Sequence, residues 1–553
     1  MKKVLVVLLI LIGINILSAY VFIRADLTEE KRYSVSTATE NLLENLQGEV
    51  FIKVYLNGED LPGGFERLKR AVAETLDEFK TYGGSNISYR FIDPNAISDI
   101  VERDALMKSL VDKGMQPTNV VDTKNGRRVE NLIFPYATVQ FDNKETDVLL
   151  LKSNQSQTAQ EKLNQSYENV EYELATAIRK LTLTEKKRIG MLTEFTKLPP
   201  ENFAGLITEL QSYYDLFILD AKASITFEGL DAIILPKPDF PVDDSTKLKL
   251  DQFIVNGGRA IFFVDGLKID SIGLEGTYAQ PLNTNIEDLL FKYGVRINKD
   301  MVKDGASAAV IPMVVGNMGD KPNIQPVPYR FFPLINSFGN SLITKNLDLI
   351  STKFVSSIDT VQSSGIKKTP LLMTTPYTRV LNAPVLVTFN EARTETEADT
   401  YQGGVQTVGY LLEGTFGSLY KNRLLPTDER RQYYSKTPQP SKIIICSDGD
   451  IIINEINRKT GNPMPLGYDK VTQHTFGNMD FVMNAVDYLL DDNGVITARG
   501  KEVKLRPLDT IKIREERTFW QSLNIGLPLL LLACFGGIVL FVRKRKYQNI
   551  SAA

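Results

Sequence analysis

Two uncharged stretches, each long enough to cross a bilayer, stand at opposite ends of this chain and restrict its architecture more than any other feature. Residues 4–23 read VLVVLLILIGINILSAYVFI and residues 523–542 read LNIGLPLLLLACFGGIVLFV. At a helical rise of about 1.5 Å per residue, runs of this length cover roughly 30 Å, the thickness of the hydrocarbon layer. Lys2 and Lys3 precede the first run, and Arg543, Lys544, Arg545 and Lys546 follow the second directly. Basic residues stay on the cytoplasmic side of a membrane, so both flanks predict the same side. The expected topology is a two-pass protein of the bacterial inner (cytoplasmic) membrane. Residues 1–3 and the basic tail 543–553 lie in the cytoplasm, and the main body lies in the periplasm. Phe519 and Trp520 fall where an interfacial aromatic belt is expected. The first run exceeds the usual signal-peptide core and ends in no A-x-A site, which favours an uncleaved anchor.

The body between the spans has ordinary globular composition. Over the whole chain 43% of residues are hydrophobic and 24% are charged, enough apolar material to bury a core. Its length predicts more than one domain. The formal net charge of −3 offers no basic field, so nucleic acid is not expected as a partner. Of the two cysteines, Cys534 lies inside the second span and Cys446 in a predicted buried strand. They are not expected to pair, and the redox compartment is left open.

The predicted fold class is α/β. After the first span, Ser36 and Thr37 can cap a short helix carrying Leu42, Leu43 and Leu46. Residues 50–56 alternate as a strand, residues 65–82 carry Leu68, Val72, Leu76 and Phe79 at helical spacing, and residues 87–92 form another strand. Further strands near 128–135, 138–141 and 146–151 complete an N-terminal α/β domain over residues 27–152. Residues 153–183 then read as a connecting helix. The strongest α/β pattern follows: apolar strands at 188–192, 214–219, 231–235 and 259–264 alternate with helices at 203–212 and 246–255. Strands this apolar predict a mainly parallel sheet covered on both faces. Residues 442–446 (KIIIC) read as a late strand of that sheet, and 479–490 as a helix, so one domain spans 184–300 and 442–510. The interval 301–441 reads as a β-rich insertion ending in an exposed loop.

Catalytic parts are scarce. The chain has one histidine, His474, in a polar segment. Cys446 follows three isoleucines and reads as strand interior rather than as an exposed nucleophile. No G-x-x-x-x-G-K-[ST] loop is present, so ATP hydrolysis through such a loop is not expected. No catalytic residue and no cofactor is predicted. One polar group merits weighing: Ser447-Asp448-Gly449-Asp450 directly follows the KIIIC strand. Ligands in doubly wound sheets bind beyond the carboxyl ends of strands. Asp448 and Asp450 are therefore candidate Mg²⁺ or Ca²⁺ ligands. The competing reading is a tight turn, for which Asp and Gly are favoured on local backbone grounds.

Several phrases in order carry a family resemblance: RYSVSTATENLLENLQGEVFIKVYL, DAIILPKPDFPVDDSTKLKLDQFIVNGGRAIFFVDG, VGYLLEGTFGSLYKNR and KIIICSDGDIIINEI with GNMDFVMNAVDYLLDDNGVITARGKEVKLRPLD. Together with the two-anchor layout, they make the chain resemble the GldG-type auxiliary component of ABC transporters linked to gliding motility in Bacteroidetes. The resemblance implies a separate multispanning permease and a separate cytoplasmic ATPase as partners, besides membrane lipid, with other envelope or motility proteins as further candidates. It also implies that the middle α/β unit is similar to a domain of an intraflagellar-transport protein, related in fold to class I glutamine amidotransferases and flavodoxin-like sheets. Where an amidotransferase carries its nucleophile after a strand, this chain has Phe263-Val264-Asp265-Gly266. The resemblance thus implies the fold without the activity. Three functions compete at this point: a non-catalytic extracytoplasmic transporter subunit, a structural scaffold of an envelope machine, and a metal-assisted hydrolase using Asp448 and Asp450.

Overall fold

The computed structural model describes residues 34–58, 61–124, 127–152, 158–183, 185–224, 226–273, 275–393, 398–423, 437–491, 494–500 and 514–548. The first apolar run, with Lys2 and Lys3, lies outside the described residues. The chain divides into two compact units, Met1–Glu502 and Val503–Ala553.

The large unit opens with an N-terminal lobe. Helix α1 (Thr37–Glu44) starts at Ser36, whose hydroxyl accepts the Thr39 N–H and satisfies one otherwise unpaired helix donor. Strand β1 (Val50–Val54), helix α2 (Gly63–Gly83), strand β2 (Ile87–Phe91), helix α3 (Ile100–Asp112) and strands β3 (Tyr136–Phe141) and β4 (Lys144–Leu149) follow. The four strands form one sheet in the order β2-β1-β3-β4, parallel only between β1 and β2. Leu68, Val72, Leu76 and Phe79 of α2 fall on one face and are buried against this sheet, as their spacing requires. Helix α4 (Ala159–Thr182) is closed by a reciprocal capping box between Thr158 and Glu161. It does more than connect: Val170, Leu174, Ile178 and Leu181 belong to the same N-terminal core.

The central lobe is built on an eight-stranded sheet. Its chain order is β5 (Arg188–Met191), α5 (Ala204–Tyr213), β6 (Asp215–Ile218), β7 (Ala232–Pro236), α6 (Asp244–Val255) and β8 (Arg259–Phe263). A long hairpin, β9 (Ala308–Met318) and β10 (Lys321–Ile335), lies further along the chain. It is followed by β11 (Ser337–Phe338), β12 (Ile366–Met373), β13 (Thr407–Thr415), β14 (Pro440–Cys446) and helix α7 (Asn478–Leu490). The spatial order is β11-β12-β13-β14-β8-β7-β5-β6. The KIIIC strand pairs with β8 in parallel, Ala260 opposite Ile443 through Phe263 opposite Cys446. The five strands from β14 to β6 are parallel, whereas β11, β12 and β13 add on antiparallel. The interval read as an insertion thus supplies part of the sheet itself. The physical reason lies in β13, where Leu411 enters the core on one face and Leu412 the core on the other.

Alternation along the strands divides the lobe into three layers. Ile261 and Phe263 of β8, with Ile444 and Cys446 of β14, point to a core capped by α5 and α7. Ala260 and Phe262, with Ile443 and Ile445, point to a second core capped by α6 and the helix Glu287–Tyr293. Burial on both faces is what continuous apolar strands demand. The inner half of the β9–β10 hairpin buries Tyr329 and Phe331 in a smaller core with Met301 and Val385. Its outer half is solvated and exposes Val314, Val315, Met318 and Ile324.

The C-terminal unit contains helix α8 (Arg517–Gln548), interrupted in sequence by Pro528. Its segment Arg517–Arg545 is long and apolar enough to cross a membrane. It contains the predicted span 523–542, and Arg543, Lys544 and Arg545 continue the same helix.

Candidate functional site at the carboxyl edge of the parallel strands

Three adjacent parallel strands, β7, β8 and β14, end side by side, and the residues just past them converge. Strand β7 delivers Lys237, β8 delivers Asp265, and β14 delivers Asp448 and Asp450. The Lys237 ammonium donates to Asp265 Oδ2 at 2.6 Å and to Asp450 Oδ2 at 2.7 Å. One oxygen from each of Asp265, Asp448 and Asp450 lies within 4.8 Å of the others.

Backbone groups fix the carboxylates. Gly449 N–H donates to Asp265 Oδ1 at 2.6 Å, Asp450 N–H to Asp448 Oδ1 at 2.7 Å, and Lys353 N–H to Asp448 Oδ2 at 2.8 Å. Lys237 holds a left-handed backbone, φ 40°, while its N–H bonds the Phe263 carbonyl at 2.9 Å. That region is costly for a residue with a side chain and persists where the surroundings over-determine it. Gly449 is one such constraint: a Cβ there would stand 2.4–2.5 Å from the Lys237 Cγ and Cβ.

The electrostatics follow from burial and proximity. Burial alone disfavours the charged form of Lys237, but Asp265, Asp450 and Asp448 outweigh it and raise its pKa above the usual lysine range. Burial, with Asp450 and Asp265 beside it, pushes the Asp448 carboxyl well up. At Asp450 the same burial is outweighed by the Lys237 and Lys353 ammonium groups, which hold it below the usual carboxylate range. A cleft of about 410 Å³ adjoins Asp450 and Lys353, roofed by the hairpin residues Val310 to Met313 and walled by Phe332, Phe389 and Phe476.

Of the residues singled out in the sequence, Asp448 and Asp450 are brought together with Asp265. Lys237 was not anticipated. Its ammonium stands where a cation held by these carboxylates would stand, so a metal ion could bind only by displacing it. The sole signal for Lys237 was its place immediately after an apolar strand. His474 lies elsewhere: its Nε2 pairs with Asp348 Oδ2 at 2.9 Å, and its ring meets Phe476 edge-on. Cys446 is fully buried, and burial with the neighbouring Asp448 pushes its thiol far above the range of a reactive cysteine.

The lobe is a doubly covered, mainly parallel sheet whose carboxyl edge carries its own ion cluster, in a chain with an apolar helix of membrane length. Residues 186–485, more than half of the chain, match the family model described as an ABC-type uncharacterized transport system, and the chain belongs to this family of ABC transporter auxiliary proteins. The family and the apolar helix together indicate a membrane-associated protein that works with ABC transporter components. Residues 29–140 match a domain of unknown function. No curated protein matches. A solved structure titled mmIFT52 N-terminal domain aligns over 55% of this chain and 97% of its own, at 12% identity and a TM-score of 0.27, a score at which a shared fold is not shown.

Proposed function

We propose that this chain is a GldG-type, non-catalytic extracytoplasmic subunit of an ABC transporter complex, anchored at both ends and acting with a separate permease and ATPase. The observation that carries the reading is the Lys237 ammonium held between Asp265 and Asp450, 2.6 and 2.7 Å away. The strand edge at which related architectures bind ligand is here filled and charge-balanced from within. That arrangement suits a rigid body that recognises or transmits, and it supports a subunit without bond-breaking chemistry. The two apolar runs and their basic flanks support a periplasmic body with both ends in the cytoplasm. A tether at each end suits a subunit that restrains or relays motion in the envelope, as gliding motility would require.

The test is purification of the tagged full chain in mild detergent. A stoichiometric permease and ATPase are expected with it, and recovery of other envelope proteins alone would favour the scaffold reading. A phosphatase fused near residue 300 should be active and one fused after Lys546 inactive; the reverse pattern would overturn the topology. Asp448→Asn with Asp450→Asn should leave assembly and transport intact. Loss of function in a folded, assembled complex would favour the hydrolase reading instead.

A further inference from the structure

The cleft of about 410 Å³ beside Asp450 has the volume of a small-molecule site. It lies outside the strand edge that Lys237 fills, beneath the β9–β10 hairpin. Phe332, Phe389 and Phe476 bring three phenyl rings to this one cavity. Aromatic rings pair favourably with a further ring, edge to face or offset, beyond the gain from burial alone. Walls of this kind suit an aromatic guest.

Two hydrogen-bonding groups interrupt the apolar lining. Ser351 and Lys353 both line the cleft, on either side of the fully buried Thr352. Residues two apart in extended backbone share a face. Neither the Ser351 hydroxyl nor the Lys353 ammonium makes a hydrogen bond among the described residues. The ammonium is paired in charge with Glu455, but at 3.7 Å, beyond hydrogen-bond reach. The backbone presenting both groups is held firmly. Asn478 Oδ1 accepts the Ser351 N–H and Asn478 Nδ2 donates to the Ser351 carbonyl, each at 2.9 Å. The Thr352 hydroxyl donates to the Pro333 carbonyl at 2.6 Å, and the Lys353 N–H donates to Asp448 at 2.8 Å. A segment fixed in this way has little freedom left to lose when a ligand binds.

The charges of the wall select against an ionic ligand, because each already has a partner. Glu455 faces Lys353 and also Lys470, the latter at 3.3 Å. Asp450 is held by Lys237 at 2.7 Å. Asp469 accepts the Val471 and Thr472 N–H groups, each at 3.1 Å, and the Thr472 hydroxyl at 2.6 Å. A net charge brought into the cleft would meet no free counter-charge, whereas a neutral acceptor oxygen would meet two donors. A carbonyl oxygen has two lone pairs and can accept from both. We infer that this cleft binds an uncharged aromatic carbonyl compound, its ring among Phe332, Phe389 and Phe476 and its carbonyl oxygen on the Ser351 hydroxyl and the Lys353 ammonium.

The experiment is calorimetric titration of the full chain in lipid nanodiscs with N-acetylphenylalaninamide, a neutral aromatic amide. Saturable one-to-one binding is expected. N-acetylalaninamide, which lacks the ring, should bind at least about tenfold more weakly, and N-acetylphenylalanine, which carries a carboxylate, should bind more weakly than the amide. Ser351→Ala and Lys353→Met should each weaken binding of the aromatic amide at least about threefold, and Lys108→Met, on the exposed face of α3, should leave it unchanged. Circular dichroism confirms that each variant folds. A capped Gly-Phe-Gly peptide separates two sources of the same chemistry: tighter binding than the single amide assigns the ring to a peptide side chain, and weaker binding assigns it to a free small molecule. Four results would overturn the inference: no saturable binding, equal affinity for the alanine compound, tighter binding of the carboxylate, or unchanged affinity in both folded cleft variants.

Discussion

Replacing Lys237 by Met tests the description of the carboxyl-edge cluster most directly. The side chain keeps most of its length and loses its charge. Lys237, Asp265 and Asp450 are 15%, 17% and 22% exposed, so solvent screens them only in part. Without the ammonium, carboxylates within 4.8 Å of one another repel. At an effective dielectric of about 20 that repulsion is about 3–4 kcal/mol for a charged pair. The figure agrees with the roughly 3–5 kcal/mol lost when one partner of a buried ion pair is removed. Against a stability of about 5–15 kcal/mol for a typical domain, this is a large fraction. The assay is thermal and urea unfolding of the detergent-solubilised chain, followed by far-ultraviolet circular dichroism. The Lys237→Met variant should unfold well before the parent, and adding Asp265→Asn and Asp450→Asn should restore most of the loss. Calcium ion should stabilise the single variant, whose carboxylates then face a vacated cation position, and should not stabilise the parent. A single variant within about 1 kcal/mol of the parent would refute the argument, because removal of a buried counter-charge cannot be that mild.

Four further outcomes follow from contacts elsewhere. Asp487 of α7 accepts from Arg179 at 3.0 Å and from the Tyr214 hydroxyl, and Asp487→Ala should cost about 3–5 kcal/mol and open the lobe junction to limited proteolysis. Burial pushes the Asp487 carboxyl up, but Lys180 and Arg179 outweigh it and hold the group below the usual range. Its contribution is therefore fully present above the unfolded-chain value of about 3.9 and is lost as pH falls through the lower folded value. The Asp487→Asn variant should accordingly lose less stability than the parent as pH is lowered through that acid transition in urea titrations. At Gly339 an added Cβ would stand 1.7 Å from the Pro370 carbonyl oxygen, so Gly339→Ala should detach β11 from β12, costing about 1–3 kcal/mol and raising amide exchange at Phe338. Cys446 should resist iodoacetamide in the folded protein and react in urea; rapid labelling of the native chain would contradict its burial and its raised pKa.

What could be read from the sequence divides along a physical line. The helical stripe of α2 and the apolar runs of β7, β8 and β14 encode their own burial, so the N-terminal helix and the parallel strands were legible. The antiparallel extension was not. Strand β12 begins with Ile366-Lys367-Lys368 and carries Pro370, a mixture that resembles a loop until β13 pairs with it. At the site, Asp448 and Asp450 were legible because they follow an apolar strand. Their partner Lys237 was not, because it is 213 residues from Asp450 and only the closing of the sheet joins them. The connector was legible as a helix, but its Arg179 gave no hint of its contact with Asp487, which depends on the docking of two lobes.

Helix α4 bears on how such a chain can be inherited. Two separate segments, 29–140 and 186–485, are matched by family models, and α4 lies in neither. Yet one face of α4 completes the N-terminal core through Leu174 and Ile178, while Arg179 supplies the counter-charge to Asp487 in the central lobe. A recombination joining a foreign N-terminal segment directly to residue 186 would pass on Asp487 as a buried anion with no guanidinium beside it. The heritable module is therefore larger than the matched segment. It begins no later than α4, and lineages that exchange the N-terminal lobe must carry that helix across the junction or replace Asp487 as well.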